Sequence, residues 1–237
     1  MSPTMVSADR EADLRAFAAV TSADLEGAHP TDVLRWAGST YGSGFCVTAS
    51  MGDAVLVTLA ADTLPGVDVL FLDTGYHFAE TLGTRDRVAA ELPVRVRTLR
   101  PLETVAEQNL RFGQSLYARD ADLCCARRKV EPLDRGLAGY RAWASGVRRD
   151  ESPARASTPV VAVDARRGLV KVNPLAAWTQ ADVDAYVAER GVIVNPLSER
   201  GYASIGCSPC TRPVRRGEDV RAGRWSGTGK TECGLHV

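Results

Sequence analysis

Short apolar runs alternate with helix-like segments through the first part of the chain. The pattern predicts strands at residues 45–50, 67–73 and 94–99, with helices at 53–61 and 78–92 between them. Strands that are joined through helices pair in parallel, because a parallel crossover needs about a dozen residues or more. The alternation therefore predicts the α/β class, with a Rossmann-like parallel sheet covered by helices.

The sequence pattern divides the chain into three parts. Residues 1–43 are predicted to form an N-terminal helical segment, with helices at 9–20 and 31–41. Residues 44–210 are predicted to form a nucleotide- and cluster-binding α/β domain. Residues 211–237 have few large apolar residues and carry six basic and three acidic side chains, a net charge of +3. This composition predicts a mobile C-terminal tail.

Local signals place several further elements. Thr31 is the expected N-cap of the second helix, and Gly42 follows its end. Thr179 and Asp182 have the spacing of a capping box, which predicts a helix that runs to Arg190. The remaining elements are predicted helices at 102–110 and 124–137 and predicted strands at 142–145, 160–163 and 169–172.

Composition excludes two classes of partner and suggests a compartment. Lys plus Arg and Asp plus Glu both total 29, so the net charge is zero and no excess positive charge attracts nucleic acid. The apolar stretch within 53–61 is far shorter than the roughly 20 residues that cross a bilayer. The acidic N-terminus does not resemble a secretory signal, so we expect a cytoplasmic protein with reduced thiols.

Two turns follow adjacent predicted strands and could hold a nucleotide. Ser50 lies in the turn after the first strand, and Asp73, Thr74 and Gly75 follow the second. Ligands of parallel sheets bind outside the carboxyl ends of the strands. Each turn by itself is better explained as a chain reversal, but two together favour a nucleotide cleft. Neither turn matches a P-loop or a GxGxxG fingerprint.

Four of the six cysteines form two close pairs. Cys124 and Cys125 are adjacent, and Cys207 and Cys210 form a CxxC pair. Four thiolates suit either tetrahedral zinc or a four-iron cluster. Neighbouring side chains on a helix point about 100° apart, which favours the larger cluster over one small ion. Buried, inert thiols remain the alternative, and this is the simplest reading of Cys46 within its strand.

The last cysteine, Cys233, lies near the end of the predicted tail. A thiol on a mobile segment is well placed to act as a nucleophile, and nearby arginines and His236 would favour its thiolate. An incidental exposed thiol is the alternative. Lys129 is expected on the same helical face as the paired cysteines. Most of the other basic residues are expected to be solvated: Arg127, Arg128, Arg148, Arg149 and the tail arginines.

The ordered set of motifs resembles the assimilatory adenosine 5′-phosphosulfate (APS) reductases, most closely their actinobacterial branch. The matching segments run from about residue 44 to the end: LDTGYHF at 72–78, QSLY at 114–117, CCARRK at 124–129, GVRRD at 146–150, VNPLAAW at 172–178, YASIGCSPC at 202–210 and ECGLH at 232–236. The resemblance implies an adenine nucleotide α-hydrolase-like fold of the PP-loop ATP pyrophosphatase type. It also implies a [4Fe–4S] cluster on Cys124, Cys125, Cys207 and Cys210.

The resemblance further implies a reaction. Cys233 would attack the sulfur of APS, expel AMP and leave an S-sulfocysteine, which thioredoxin would cleave to release sulfite. Lys129 would stand between cluster and sulfate, and His236 would lie near the nucleophile. Arg221 and Arg224 would bind the phosphosulfate, and Arg155 would be a further contact to the anion. Residues 49–53 depart from the Ser-Gly-Ala-Glu-Asp of many relatives, and Ser50 with its backbone is the expected phosphate contact.

Three alternatives stay open at this point. The first is an enzyme that uses the 3′-phosphorylated nucleotide (PAPS) or both substrates, although the cysteine pairs point to APS. The second is a non-enzymatic Cys₄ zinc module that binds nucleotide. The third is an ATP pyrophosphatase, which the missing Ser-Gly-Gly-x-Asp-Ser loop disfavours. A homo-oligomer is possible in each case.

Overall fold

The computed structural model describes residues 3–226, 230 and 232–235, and within this part of the chain six strands form one sheet. The strands are β1 (Phe45–Thr48), β2 (Asp68–Leu72), β3 (Arg95–Leu99), β4 (Ala142–Ala144), β5 (Val161–Asp164) and β6 (Leu169–Val172). Their order across the sheet is β3-β2-β1-β4-β6-β5. The strand β1 therefore lies inside the sheet, with β2 and β4 on its two sides.

The expected parallel pairing is confirmed everywhere except at one edge. The strand β1 pairs in parallel with β2 and β4, β2 with β3, and β4 with β6. The edge strand β5 instead runs antiparallel to β6. Only the turn at 165–168 joins these two strands, and Gly168 adopts a φ of +65° within it. A connection this short closes a hairpin and cannot make a parallel crossover.

Helices surround the sheet. They are α1 (Pro3–Asp24), α2 (Pro30–Tyr41), α3 (Val55–Thr63), α4 (Ala79–Glu91), α5 (Val105–Phe112), α6 (Leu116–Arg119), α7 (Ala121–Cys125), α8 (Glu131–Gly136) and α9 (Gln180–Arg190). The predicted capping box of α9 is confirmed, since Thr179 and Asp182 each accept a hydrogen bond from the other's backbone. No helix in the described ranges has the length and apolar character of a membrane span.

The start of α2 differs from the sequence prediction. The N-cap is His29, whose Nδ1 accepts a hydrogen bond from the backbone N–H of Thr31 at 3.3 Å. Pro30 opens the helix, where its missing N–H costs nothing and its fixed φ suits the first turn. Thr31 is therefore inside the helix, while Gly42 ends it as expected, with a φ of +53°.

The single helix predicted at 124–137 is broken into three parts. The helix α7 ends at Cys125, a π-helical turn covers Ala126–Val130, and α8 follows. Pro132 lies in the first turn of α8, where it has no N–H to continue the preceding helical hydrogen bonds. This π-helical turn comes directly after the adjacent cysteines. Such turns within helices are often found at functional sites.

One main core unites the sheet with the N-terminal helices. Residues 55–61 of α3 are buried on every side, as expected for a helix in the middle of a domain. Val33, Leu34 and Ala37 of α2 and Ala18 of α1 belong to the same buried cluster. The side chain of Ser22 also accepts a hydrogen bond from the backbone N–H of Val161 on β5, at 3.2 Å. The proposed domain boundaries at residues 43 and 210 stay predictions.

We expect Leu34→Ala to lower the free energy of unfolding by about 2–5 kcal/mol, because it empties a fully buried site in this core. Urea denaturation of the whole chain measures the change. The control is Arg35→Ala on the exposed face of the same helix, which should change stability by less than about 1 kcal/mol. Equal stability of the two variants would contradict a core that the N-terminal helices share with the sheet.

Candidate active site

The turn after β1 is held in a rare backbone conformation. Met51 is buried and adopts a φ of +61°, which non-glycine residues seldom do. The fully buried Asn195 braces it, because its Nδ2 donates to the Met51 carbonyl at 3.0 Å and its backbone N–H donates to the Gly52 carbonyl at 3.0 Å. Ser50 is exposed just before this turn. Its hydroxyl is thus available at the carboxyl edge of the sheet.

The turn after β2 lies next to the first, as the pairing of β1 with β2 requires. The Asp73 carboxylate accepts from the backbone N–H of Gly75 at 3.1 Å and pairs with Arg100 at 3.3 Å. Gly75 has a φ of +73°, and a Cβ there would come 3.0 Å from Nη2 of Arg128. This position therefore needs glycine for both its conformation and its close packing.

Both cysteine pairs reach one small cavity beside the β2 turn. The cavity is lined by Tyr76, Tyr117, Ala121, Cys124, Cys125, Arg128, Lys129, Cys207 and Cys210. Buried Thr74 connects the turn to the second pair, since its Oγ1 lies 3.3 Å from Sγ of Cys207. Within the described residues, no three His, Cys, Asp or Glu side chains are grouped closely enough to hold one metal ion. The two pairs thus share a cavity without forming a compact one-ion site.

Burial disfavours the thiolate form of three of the thiols around this cavity. Burial and the neighbouring sulfurs raise the pKa of Cys124 to about 11. Burial also raises the pKa of Cys125, although Lys129 and Lys230 oppose it, and it raises the pKa of Cys210. Loading a metal group on these sulfurs would therefore release protons.

Lys129 is a buried cation among sulfur atoms. Burial alone would lower its pKa, but the electrostatic effect of the nearby Cys207, Cys125 and Cys233 sulfurs outweighs it and raises the pKa. Across the described part of the chain, no carboxylate pairs with its ammonium group. Lys129 lines the same cavity as the paired cysteines, and its charge remains available to an anion there.

The tail contributes a tryptophan surrounded by cations. Trp225 is buried with a φ of +46°, and the guanidinium of Arg224 lies 4.5 Å from the centre of its ring. Lys129, Lys230 and Arg221 lie between 5.7 and 6.0 Å from the same ring. Burial, followed by the charge of Arg221, lowers the pKa of Arg224. The concentration of positive charge makes this side of the cavity a candidate anion site.

Ion pairs and apolar contacts hold the described part of the tail against the body. The Glu232 carboxylate accepts two hydrogen bonds from Arg155, both at 2.9 Å, and a third from Arg221 at 3.3 Å. Lys230 pairs with Asp122 of α7, and Leu235 packs against a second core cluster that contains Cys46. Cys233, which follows Glu232, is half-buried and close enough to Lys129 to affect its pKa.

Several sequence expectations need correction or completion. Arg128 and Arg148 were expected to be solvated, but they are only 3% and 9% exposed. Arg128 is buried because its guanidinium donates to the Thr74 carbonyl at 2.5 Å and to Oε1 of Gln108 at 3.0 Å. Cys46 is a fully buried core residue, as expected. His236 lies outside the described residues.

Sequence reasoning missed three residues that organise the site. Asn195 and Arg128 support the two turns, and Glu232 pairs with Arg155 and Arg221 near the candidate anion site. The sequence signal for Asn195 is its place just before Pro196, because the residue before a proline is restricted in conformation. Arg128 directly precedes Lys129, and Glu232 directly precedes Cys233. The sequence analysis predicted a role in the reaction for Lys129 and Cys233 but not for the residues before them.

The sheet topology and the two turns at its carboxyl edge define an adenine nucleotide α-hydrolase-like α/β protein. A family profile described as the phosphoadenosine phosphosulfate reductase domain matches residues 45–213. The chain belongs to this phosphoadenosine phosphosulfate reductase family.

Similar proteins of known name cover nearly the whole chain. The adenosine 5′-phosphosulfate reductase of Streptomyces coelicolor is 61% identical, over 94% of this chain and 95% of its own. Proteins of the same name from Mycolicibacterium smegmatis and Mycobacterium tuberculosis are 51% and 50% identical, over 99% and 96% of both chains. The resemblance to an actinobacterial reductase is therefore confirmed at the level of the whole chain.

Solved structures confirm the predicted fold type. A phosphoadenylyl-sulfate reductase from Candida auris, crystallised with phosphate, superposes with a TM-score of 0.71 at 32% identity, over 82% of this chain and 96% of that chain. The FMN adenylyltransferase of Candida glabrata superposes with a TM-score of 0.56 at 13% identity, over 86% of this chain and 76% of that chain. The second likeness concerns the fold alone.

Proposed function

We propose that this chain is a thioredoxin-dependent adenosine 5′-phosphosulfate reductase, which converts APS to sulfite and AMP in sulfate assimilation. The observation that carries the proposal is that Cys233 is near enough to act electrostatically on Cys125 and Lys129, which both line the cavity of the paired cysteines. The names of the similar actinobacterial proteins support APS as the substrate. The cytoplasm is the proposed compartment, where thiols are kept reduced.

The nucleotide is proposed to bind at the carboxyl edge of β1 and β2. Ser50 and the backbone of its turn would contact the α-phosphate, and Asp73, Thr74 and Gly75 would form the neighbouring wall. Support comes from the hydrogen bonds by which Asn195 and Arg128 brace the two turns. A turn held in place before the ligand arrives loses little entropy on binding.

Fixed cations make the chemistry possible. A thiolate that attacks an anionic phosphosulfate brings like charges together, and only preorganised positive groups offset this repulsion in a buried site. Lys129, Arg221 and Arg224 are the proposed groups, because they surround Trp225 at the edge of the cavity. Arg155 is a further proposed anion contact, although Glu151 and Glu232 engage it in this structure.

In the proposed first step, the Cys233 thiolate attacks the sulfur of APS. A sulfur–sulfur bond forms, the bond from sulfur to the phosphate oxygen breaks, and AMP leaves with the bonding electrons. Two electrons from the thioredoxin dithiol then release sulfite and restore Cys233, and thioredoxin becomes a disulfide. His236 is proposed to lie near the nucleophile. Whether the chain forms a homo-oligomer stays a prediction.

A [4Fe–4S] cluster is the proposed cofactor, held by Cys124, Cys125, Cys207 and Cys210. The donor set fits the group, since four thiols from two distant pairs line one cavity and three of them are buried. When bound, the cluster would help bind and polarise the sulfate group without carrying the electrons. Thr74 would orient one ligand through its contact with Cys207.

Anaerobic purification followed by iron and sulfide analysis, with sulfite assays on APS and PAPS, tests the proposal. We expect about four irons per chain. We also expect sulfite release from APS at least about tenfold faster than from PAPS, with reduced thioredoxin as donor. Equal rates would indicate a dual-substrate enzyme. Zinc without sulfite release would contradict the proposal and favour the nucleotide-binding zinc module.

A further inference from the structure

The Glu232 carboxylate occupies the arginines that the proposed function assigns to the substrate anion. Arg155 and Arg221 both donate to it, at 2.9 Å and 3.3 Å. All three side chains are largely shielded from water, with exposed fractions of 12% for Arg155, 14% for Arg221 and 22% for Glu232. Shielded ion pairs of this kind are screened much less than surface pairs.

Carboxylates already match the positive charge at Arg155 and Arg221. Arg155 also donates to Glu151 at 2.5 Å, so in the described structure these two arginines face two carboxylates. An anion that enters here must displace a carboxylate or accept like-charge repulsion. Glu151 is held in the body by the backbone N–H of Arg148 at 3.0 Å, whereas Glu232 belongs to the tail. Glu232 is therefore the carboxylate that can be exchanged.

We propose that Glu232 is an internal counter-ion, which takes the place of the substrate anion at Arg155 and Arg221 until the phosphosulfate displaces it. The identity of the displacing anion rests on the proposed function. Before binding, the carboxylate keeps two shielded guanidiniums paired and thus avoids the cost of unpaired buried charge. Because Glu232 directly precedes Cys233, the same contact positions the nucleophile, and its exchange for substrate moves the attacking segment.

Other contacts keep the tail in place during the exchange. Lys230 pairs with Asp122 on one side of Glu232, and Leu235 packs against the second core cluster on the other. The exchange is therefore a local movement between two anchors. Glu232 acts as a positioning residue and as a competitor of the substrate, and these two roles predict opposite effects when its charge is removed.

Glu232→Gln separates the two roles. We expect APS to bind about tenfold more tightly in equilibrium titrations of the anaerobically purified protein, because the arginines are no longer occupied. In the same variant without ligand, trypsin should cleave after Lys230 about tenfold faster, because one anchor of the tail is lost. A purely structural role would accelerate cleavage and weaken APS binding.

Two variants serve as controls. Glu232→Asp keeps the charge and should not tighten APS binding. Glu218→Gln removes another tail carboxylate, which pairs with Arg212 at 2.8 Å, and should change neither measurement. Unchanged or weaker APS binding by Glu232→Gln would overturn the proposal that Glu232 is an internal counter-ion. If the unaltered protein bound no APS, the proposed function would fail instead. Direct titration of both proteins with inorganic sulfate would then decide the inference, which requires tighter sulfate binding by Glu232→Gln.

Discussion

Sulfite formation from APS is expected to fall by at least about a thousandfold when Cys233 is replaced by serine. A serine hydroxyl is almost fully protonated at neutral pH and is a far weaker nucleophile than a thiolate. The arginines, Lys129 and the cysteine-lined cavity are unchanged in this variant, so APS should still bind. APS that carries a radioactive sulfur atom, added without thioredoxin, should leave one labelled sulfur on each unaltered chain. The Cys233→Ser variant should stay unlabelled.

The matched control for this experiment is Cys46→Ala. It also removes one thiol, but Cys46 is a core residue with no exposed surface, and burial raises its pKa. We expect a modest loss of stability and near-normal sulfite formation. Substantial turnover by Cys233→Ser would remove Cys233 from the mechanism, whatever the control shows.

Iron content and the absorbance near about 400 nm are expected to disappear together in Cys207→Ser. Cys207 is one of the four proposed ligands, and it is also the sulfur in contact with Thr74 of the β2 turn. Loss of this residue therefore removes a ligand and the connection between the cavity and the nucleotide side. Sulfite formation should fall below detection, and iron and sulfide analysis after anaerobic purification measures the cofactor directly.

A comparison of buried thiols controls for general destabilisation. Cys46→Ala should retain the iron and the colour, because Cys46 packs in the second core cluster and does not line the cavity. Full iron content in Cys207→Ser would contradict the assignment of this cysteine as a ligand. Circular dichroism of both variants establishes that each chain is folded.

Most of the fold was predictable because its signals are local. The alternation of apolar runs and helices predicted the strand order along the chain and the parallel pairing of β1, β2 and β3. The antiparallel edge was missed, although the short connection at 165–168 carried the information. The break after Cys125 was missed because a π-helical turn has no distinctive sequence pattern.

The site was predictable to the extent that its chemistry belongs to single residue types. Paired cysteines, a terminal cysteine and the polar turns stand out in the sequence, and the structure brings both pairs to one cavity. The partners of charged groups were not predictable. Arg155 looks in sequence like any exposed arginine, and only the folded chain places it against Glu151 and Glu232.

The sequence alone thus determined the order of the elements and the parallel sheet, because the hydrophobic period is a property of neighbouring residues. It also determined the candidate cysteine ligands, because their spacing can be read along the chain. Folding decided what each charge faces. Arg128 became buried, and Glu232 came to lie between two arginines. These contacts join residues far apart in sequence, and their energies depend on burial and distance, which only the packed chain specifies.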